Sequence, residues 1–257
     1  MTVEDEQRML LKAVTDHPDD DAPRLAYADW CDRRGDPRGR FIRVQIELAK
    51  IEFDLESPKR RPLENESRKL LNSHGREWMP IQHPHIIDSK MHRGFIAGLT
   101  MTAASFLEHF ADLRTLYPIQ LVTIRNLVLH ARAVLTSPHM RLLSSLSVRD
   151  GGITDDDLKA FSHSPYITNL LWLILTDNQI SQEGVEALIT SPFLKKLSFV
   201  RLEGNPCDPI ETAGFDQGCL VDIQMPEVGR ELEVRFGPIR WLKYRDIPSP
   251  FEPVDKR

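Results

Sequence analysis

Three stretches of the sequence stack in one register: Leu143-x-x-Leu146-x-Val148, Leu170-x-x-Leu173-x-Leu175 and Leu197-x-x-Val200-x-Leu202, each 27 residues after the last. Other columns keep the step. Ile153 leads to Ile180, Asn178 to Asn205, and Ser137-Pro138, Ser164-Pro165 and Ser191-Pro192 coincide. A period of about 20–29 residues in the pattern L-x-x-L-x-L-x-x-N marks chains that repeat one strand and one helix. No single repeat can bury its own apolar face, so the repeats must stack into a curved, quasi-one-dimensional array. The expected fold is therefore α/β: a short solenoid with parallel strands on its concave face and helices on its convex face. Such a surface points to binding rather than chemistry.

Composition narrows the setting. A chain of 257 residues has room for one large domain or two small ones. A net charge of −5 leaves no basic footprint, so no nucleic-acid partner is expected. No run approaches the ~18 apolar residues of a membrane span. The acidic start lacks the basic-then-apolar pattern of a secretory signal. Cys31, Cys207 and Cys219 have neither zinc spacing nor a disulfide framework. They read as reduced thiols in a cytoplasmic protein.

Residues 1–56 read as an α-helical module. A first helix covers 3–14. Asp20 or Asp21 caps a second, which carries Leu25, Tyr27, Ala28, Trp30 and Cys31 and stops at Gly35. Asp36-Pro37 opens a third, with Phe41, Val44, Leu48, Ile51 and Leu55 at helical spacing. Residues 57–92 hold a loop over 57–62, a fourth helix over 63–73 with Gly75 after it, and a loop over 79–90. Residues 93–206 form the repeat region. A strand from Phe95 to Met101 and a helix over 103–113 open it, and Leu116-x-x-Ile119-x-Leu121 precedes Leu143 by the same 27 residues. Residues 207–257 leave the register. They read as a terminal cap, with a helix from Pro226 whose Val228, Leu232 and Phe236 face inward, and an extended tail through Pro248, Pro250 and Pro253.

Strand side chains alternate faces, so the residues between the apolar ones belong to the concave surface. These are Ser145, Ser147 and Arg149; Trp172, Ile174 and Thr176; Phe199, Arg201 and Glu203; and, upstream, Pro118, Gln120 and Val122. Asn178 and Asn205 are expected to turn inward and satisfy backbone groups at the strand exits, with Gly151 interrupting that column. Large apolar side chains exposed on a strand face suggest a binding patch. Trp172, Ile174, Phe199, Arg201, Arg149 and Glu203 are therefore the expected partner-binding residues. The competing reading packs Trp172, Ile174 and Phe199 beneath a neighbouring loop or the N-terminal helices.

The repeats resemble ribonuclease-inhibitor-type leucine-rich repeats, which pair each strand with a full helix. The first part carries a narrower likeness. Residues 18–30, Pro-Asp-Asp-Asp-Ala-Pro-Arg-Leu-Ala-Tyr-Ala-Asp-Trp, and 34–42, Arg-Gly-Asp-Pro-Arg-Gly-Arg-Phe-Ile, are similar to the bacterial repeat-companion domain of planctomycete and myxobacterial proteins. That module often precedes leucine-rich repeats, and the likeness covers about residues 4–50. Arg40 stands where an acidic residue is usual, and Cys31 where Leu is usual. The resemblance implies no catalytic residues.

Two clusters could hide chemistry. Asp29, Asp32 and Asp36 sit in sequence beside Arg24, Arg33, Arg34 and Arg38. An anion or carboxylate site is one reading, and a capping and ion-pair network on a helical hairpin is the plainer one. His83, His85 and His92 lack the converging ligand set that zinc needs. No P-loop, G-x-S-x-G, H-E-x-x-H or Rossmann glycine pattern occurs. The expectation is a non-enzymatic scaffold, monomeric alone, without cofactor or metal, that holds a protein partner on its concave face. The alternatives are a regulatory or inhibitory subunit of an enzyme complex and an enzyme using the Asp/Arg cluster.

Overall fold

The computed structural model describes residues 2–52, 54, 56–79, 84–127, 129–210, 212–216 and 219–242, with backbone only for 212–216 and 219–224. The expected proline-rich tail at Pro248, Pro250 and Pro253, along with Leu55 and His83, lies outside these residues. The chain is mixed α/β, and its main sheet has six strands in the order β1-β2-β3-β4-β5-β6. These are β1 (Asp88–His92), β2 (Phe95–Thr102), β3 (Leu121–Arg125), β4 (Ser145–Val148), β5 (Trp172–Ile174) and β6 (Phe199–Arg201). β1 and β2 are antiparallel, whereas β3 to β6 run parallel. Among the described residues no helix is long and apolar enough to cross a membrane.

The backbone separates into two compact units. The first holds Met1–Thr100 with His109–Gln120, and the second Met101–Glu108 with Leu121–Ile247.

The first unit begins with four helices: α1 (Val3–Asp16), α2 (Asp21–Asp32), α3 (Arg38–Lys50) and α4 (Arg60–Trp78). Their starts follow the sequence. Thr2 and Asp5 exchange two bonds of 3.1 Å in a capping box. Asp20 accepts from the Ala22 amide at 2.9 Å, and Asp36 from the Arg38 amide at 2.8 Å. α4 runs through Gly75 instead of ending before it, because a glycine costs a helix only about 1 kcal/mol. Trp78 on its last turn stacks on Phe41 at 4.9 Å and rewards the extension. Val14, Tyr27, Ala28, Trp30, Cys31, Ile42 and Ile46 close around Phe95 as one core, with Tyr27 5.5 Å from Trp30 and 5.6 Å from Phe95. The expected loop over 79–90 ends earlier than supposed, since Asp88–His92 pairs with β2.

The turn of this hairpin is tight. Gly94 has φ +82°, and a methyl group there would lie 2.5 Å from Ile42 Cγ1 and 2.7 Å from its Cα. A side chain would meet both backbone strain and a collision. Gly94→Ala is expected to cost about 1–3 kcal/mol in denaturant unfolding. A loss below about 0.5 kcal/mol, the scale of ordinary surface changes, would show that the turn yields.

The second unit carries the repeat. β4, β5 and β6 pair as Ser145↔Trp172↔Phe199 and Leu146↔Leu173↔Val200, so the 27-residue step is a physical register. Leu146, Leu173 and Val200 are stacked and buried, as are Leu143, Leu170 and Leu197, Val148, Leu175 and Leu202, and Ile153 and Ile180. Helices α5 (Ala103–Leu116) and α6 (Ala131–Leu135) follow β2 and β3, and helices α7 (Asp155–Ser162) and α8 (Gln182–Ile189) add Phe161 and Leu188 to the same core. Each fully buried aliphatic side chain contributes about 1.5–3 kcal/mol. The Ser-Pro column is a repeated turn: Ser137, Ser164 and Ser191 accept from the amides of His139, Tyr166 and Phe193.

The step into β4 differs. Leu121 pairs with Ser145 and Val122 with Leu146, an offset of 24 residues rather than 27. The aligned set is therefore Ile119-x-x-Val122-x-Ile124, all buried, while Leu116 is 59% exposed. Val122 joins the core column, and Thr123 and Arg125 take the face positions expected of Gln120 and Val122. The backbone marks the same spacing. Asn126, Asp150, Asp177 and Gly204 each leave their strand with positive φ, between 48° and 76°. Asn, Asp and Gly are the residues that enter this region most readily.

Asn178 is the main polar element of this core. Its Oδ1 accepts from the amides of Gly151 (3.0 Å) and Ile153 (3.1 Å). Its Nδ2 donates to the carbonyls of Val148, Leu175 and Thr176 at 3.0–3.1 Å. Asn205 repeats the arrangement with Ile180, Leu175 and Leu202. After Cys207 a two-stranded hairpin, β7 (Thr212–Asp216) and β8 (Cys219–Gln224), precedes α9 (Glu227–Phe236). Leu232 of α9 is fully buried, and Arg235 pairs with Glu186 of α8. Phe236 is 37% exposed, so it does not face inward as expected.

Candidate functional site

The strand face of the second unit is set by the same alternation that buries Leu146, Leu173 and Val200. Trp172 and Ile174 flank Leu173 on β5, and Phe199 and Arg201 flank Val200 on β6. The pairing sets Trp172 beside Phe199 and Ile174 beside Arg201. The two rings meet at 4.9 Å with a 41° tilt, within the distance range of interacting aromatic pairs. The Arg201 guanidinium lies 5.5 Å from the Phe199 ring, and its Nε is 3.6 Å from a Glu203 carboxylate oxygen. Arg149 and Glu203 are exposed at the strand ends.

Depth along this face is uneven. Trp172, Phe199 and Arg201 are half-buried. Ile174 is only 2% exposed, so it is part of the floor and not the exposed anchor its strand position suggested. Ser145, Ser147 and Thr176 are likewise buried. The structure thus brings Trp172, Phe199, Arg201 and Glu203 together, sets Arg149 on the exposed end of β4, and moves Ile174 into the packed layer. Thr123 and Arg125 join the face, and the 27-residue step, carried one repeat too far, passes over them. The run Arg125-Asn126, which parallels Arg149-Asp150, is the signal that places them.

The other candidate clusters resolve into packing. Arg43 of α3 donates to Asp29 and, at 2.9 Å, to Asp32 of α2, while Arg34 reaches Glu6 at 3.1 Å and covers the Trp30 ring at 4.0 Å. Arg24 is 1% exposed and donates to the Asp20 carbonyl at 2.7 Å. Burial, aided by nearby Arg93, lowers its pKa to about 10. Arg38 lies over the Tyr27 and Phe95 rings at 5.5 and 5.2 Å. These side chains fasten α1, α2 and α3 to one another and to Phe95.

His85 stacks against His109 at 3.5 Å, and His92 lies on β1. Among the described residues no group of three or more His, Cys, Asp or Glu could hold a metal ion. Cys31 and Cys207 are buried, and burial pushes their thiols up to about 12 and about 11. A thiol in that range carries almost no thiolate at neutral pH. The Cys219 side chain lies outside the described residues.

No protein-family model matches the chain, and no curated protein or solved structure matches it either.

Proposed function

We propose that the β3–β6 stack is a short leucine-rich-repeat solenoid headed by a repeat-companion module, and that it is a cytoplasmic scaffold whose strand face holds a protein partner. The observation that carries this reading is the Trp172–Phe199 ring pair, half-buried on a strand face and bordered by Arg201, which reaches Glu203. Trp and Arg dominate binding energy at interfaces, where an apolar centre sits within a polar rim. Ile174, buried on the same strand face, is not itself a contact residue in this reading. The 27-residue step and the inward asparagines support the solenoid assignment.

The test is a titration against a partner purified with the protein from its native host. Trp172→Ala is expected to weaken that complex by about 2 kcal/mol or more, a hot-spot cost, while the melting temperature holds within a few degrees. A large fall in melting temperature with unchanged affinity would make Trp172 a packing residue and remove the site.

A further inference from the structure

The pairing of β3 to β6 sorts the strand-face side chains into rows. Leu121, Ser145, Trp172 and Phe199 lie opposite one another in the first row, and Thr123, Ser147, Ile174 and Arg201 in the second. One alternation further on, at the strand exits, stand Arg125, Arg149, Thr176 and Glu203. Neighbouring strands lie about 4.8 Å apart and successive rows about 6.6 Å apart, so about 13 Å separates the first row from the third.

The rows differ in chemistry. The first is apolar over β5 and β6, where Trp172 meets Phe199. The third sets two exposed arginines, Arg125 and Arg149, at the ends of adjacent strands. Next to Arg149 in that row comes Thr176, which is 4% exposed and whose Oγ1 has no hydrogen-bond partner among the described residues. A buried hydroxyl without a partner is unfavourable, and an incoming acceptor relieves it. The acidic groups lie further along the row. Glu203 ends β6 and is 3.6 Å from Arg201, and Asp177 turns Oδ1 toward Gly204. Asp150 stands past Arg149, in the turn that leaves β4. The row is therefore basic over β3 and β4 and acidic over β6.

We propose that this face holds an extended peptide segment with an aromatic or large aliphatic side chain over Trp172 and Phe199 and, about four residues away, an Asp or Glu side chain over Arg125, Arg149 and Thr176. The proposal rests on the strand face being a partner site and specifies what that site takes. Side chains i, i+2 and i+4 of an extended segment point the same way and span about 13 Å, the separation of the outer rows. The middle one falls over the buried floor of Ser147 and Ile174. The carboxylate accepts charge-assisted bonds from the guanidinium groups and a bond from the Thr176 hydroxyl. Glu203 repels the same carboxylate if the segment shifts toward β6, which fixes its lateral position.

Selection of a random phage-displayed peptide library on the full chain, followed by fluorescence-anisotropy titration of the selected peptides, tests this. The selected peptides are expected to share an aromatic or large aliphatic residue and an Asp or Glu about four positions away. Their Kd should rise by about tenfold or more in the double variant Arg125→Gln/Arg149→Gln, with a shallower salt dependence, and by a smaller factor in Thr176→Val. Both arginines are exposed and valine has nearly the shape of threonine, and matching circular dichroism would establish that each variant is folded. Selected peptides without the acidic residue, or with unchanged affinity for the folded double variant, overturn the proposal. Trp172→Ala separates that failure from failure of the site itself. Acid-free peptides that lose affinity in Trp172→Ala leave the partner site standing, whereas peptides indifferent to Trp172→Ala remove it. A library that yields no binder overturns the peptide assignment and leaves the site to the titration with the native partner.

Discussion

Leu173→Ala is expected to lower the unfolding free energy by about 2–5 kcal/mol, the range for truncating a buried leucine in a core that relaxes only partly. Leu173 is fully buried, and its partners in register, Leu146 and Val200, lie on the strands to either side. A methyl cannot fill that gap, and neither neighbour can move inward without breaking its own pairing. Equilibrium urea unfolding measures the change. A loss under about 1 kcal/mol, near that of ordinary surface or volume-conserving changes, would mean that the column is not close-packed.

Asn178→Ala is expected to cost a comparable amount by another route. The amide group serves two buried backbone N–H groups and three carbonyls. Leaving buried polar groups unsatisfied costs about 1–3 kcal/mol each, and water entering the gap recovers part of this. Asn178→Asp separates the two halves of the amide: it keeps the acceptor but sets a carboxylate against three carbonyl oxygens. It should therefore destabilise at neutral pH and recover as pH is lowered and the carboxyl is protonated. Thermal melts of both variants across pH check this. An Asp variant as stable as the wild type at pH 7 would contradict the role assigned to the Nδ2 donor.

The strand register was largely legible because it depends on a rule with little freedom. One strand face is buried, so Leu146, Leu173 and Val200 can align in only one way. The slip at β3 has an equally physical origin. Leu116, Ile119, Leu121, Val122 and Ile124 are all apolar, so the pattern L-x-x-L-x-L can be laid down in two positions three residues apart. Only the left-handed residue Asn126, in line with Asp150 and Asp177, distinguishes them, and φ is not written in hydropathy. Asp88–His92 was hidden as a strand because it is short and polar, and its partner rather than its own sequence makes it one. At the candidate site, alternation gave the correct face for Trp172, Phe199 and Arg201. It does not give depth, and so it puts Ile174 on the surface when that residue belongs to the floor.

The bonds of Asn178 cross from its own repeat to the one before, reaching Val148, Gly151 and Ile153. Asp155 reaches the other way: its carboxylate accepts from the amides of Ser181 and Gly184 at 2.8 and 3.1 Å at the start of α8. Neither set can form within an isolated 27-residue segment. Much of the polar stabilisation therefore resides in the junctions between neighbours and not in the segments, which in a nearest-neighbour description is the condition for strong coupling. The array should then come apart as a block. Damage at one junction would be felt along its whole length, and a fragment cut between Asp155 and Ser181 would lose the bonds that cross it.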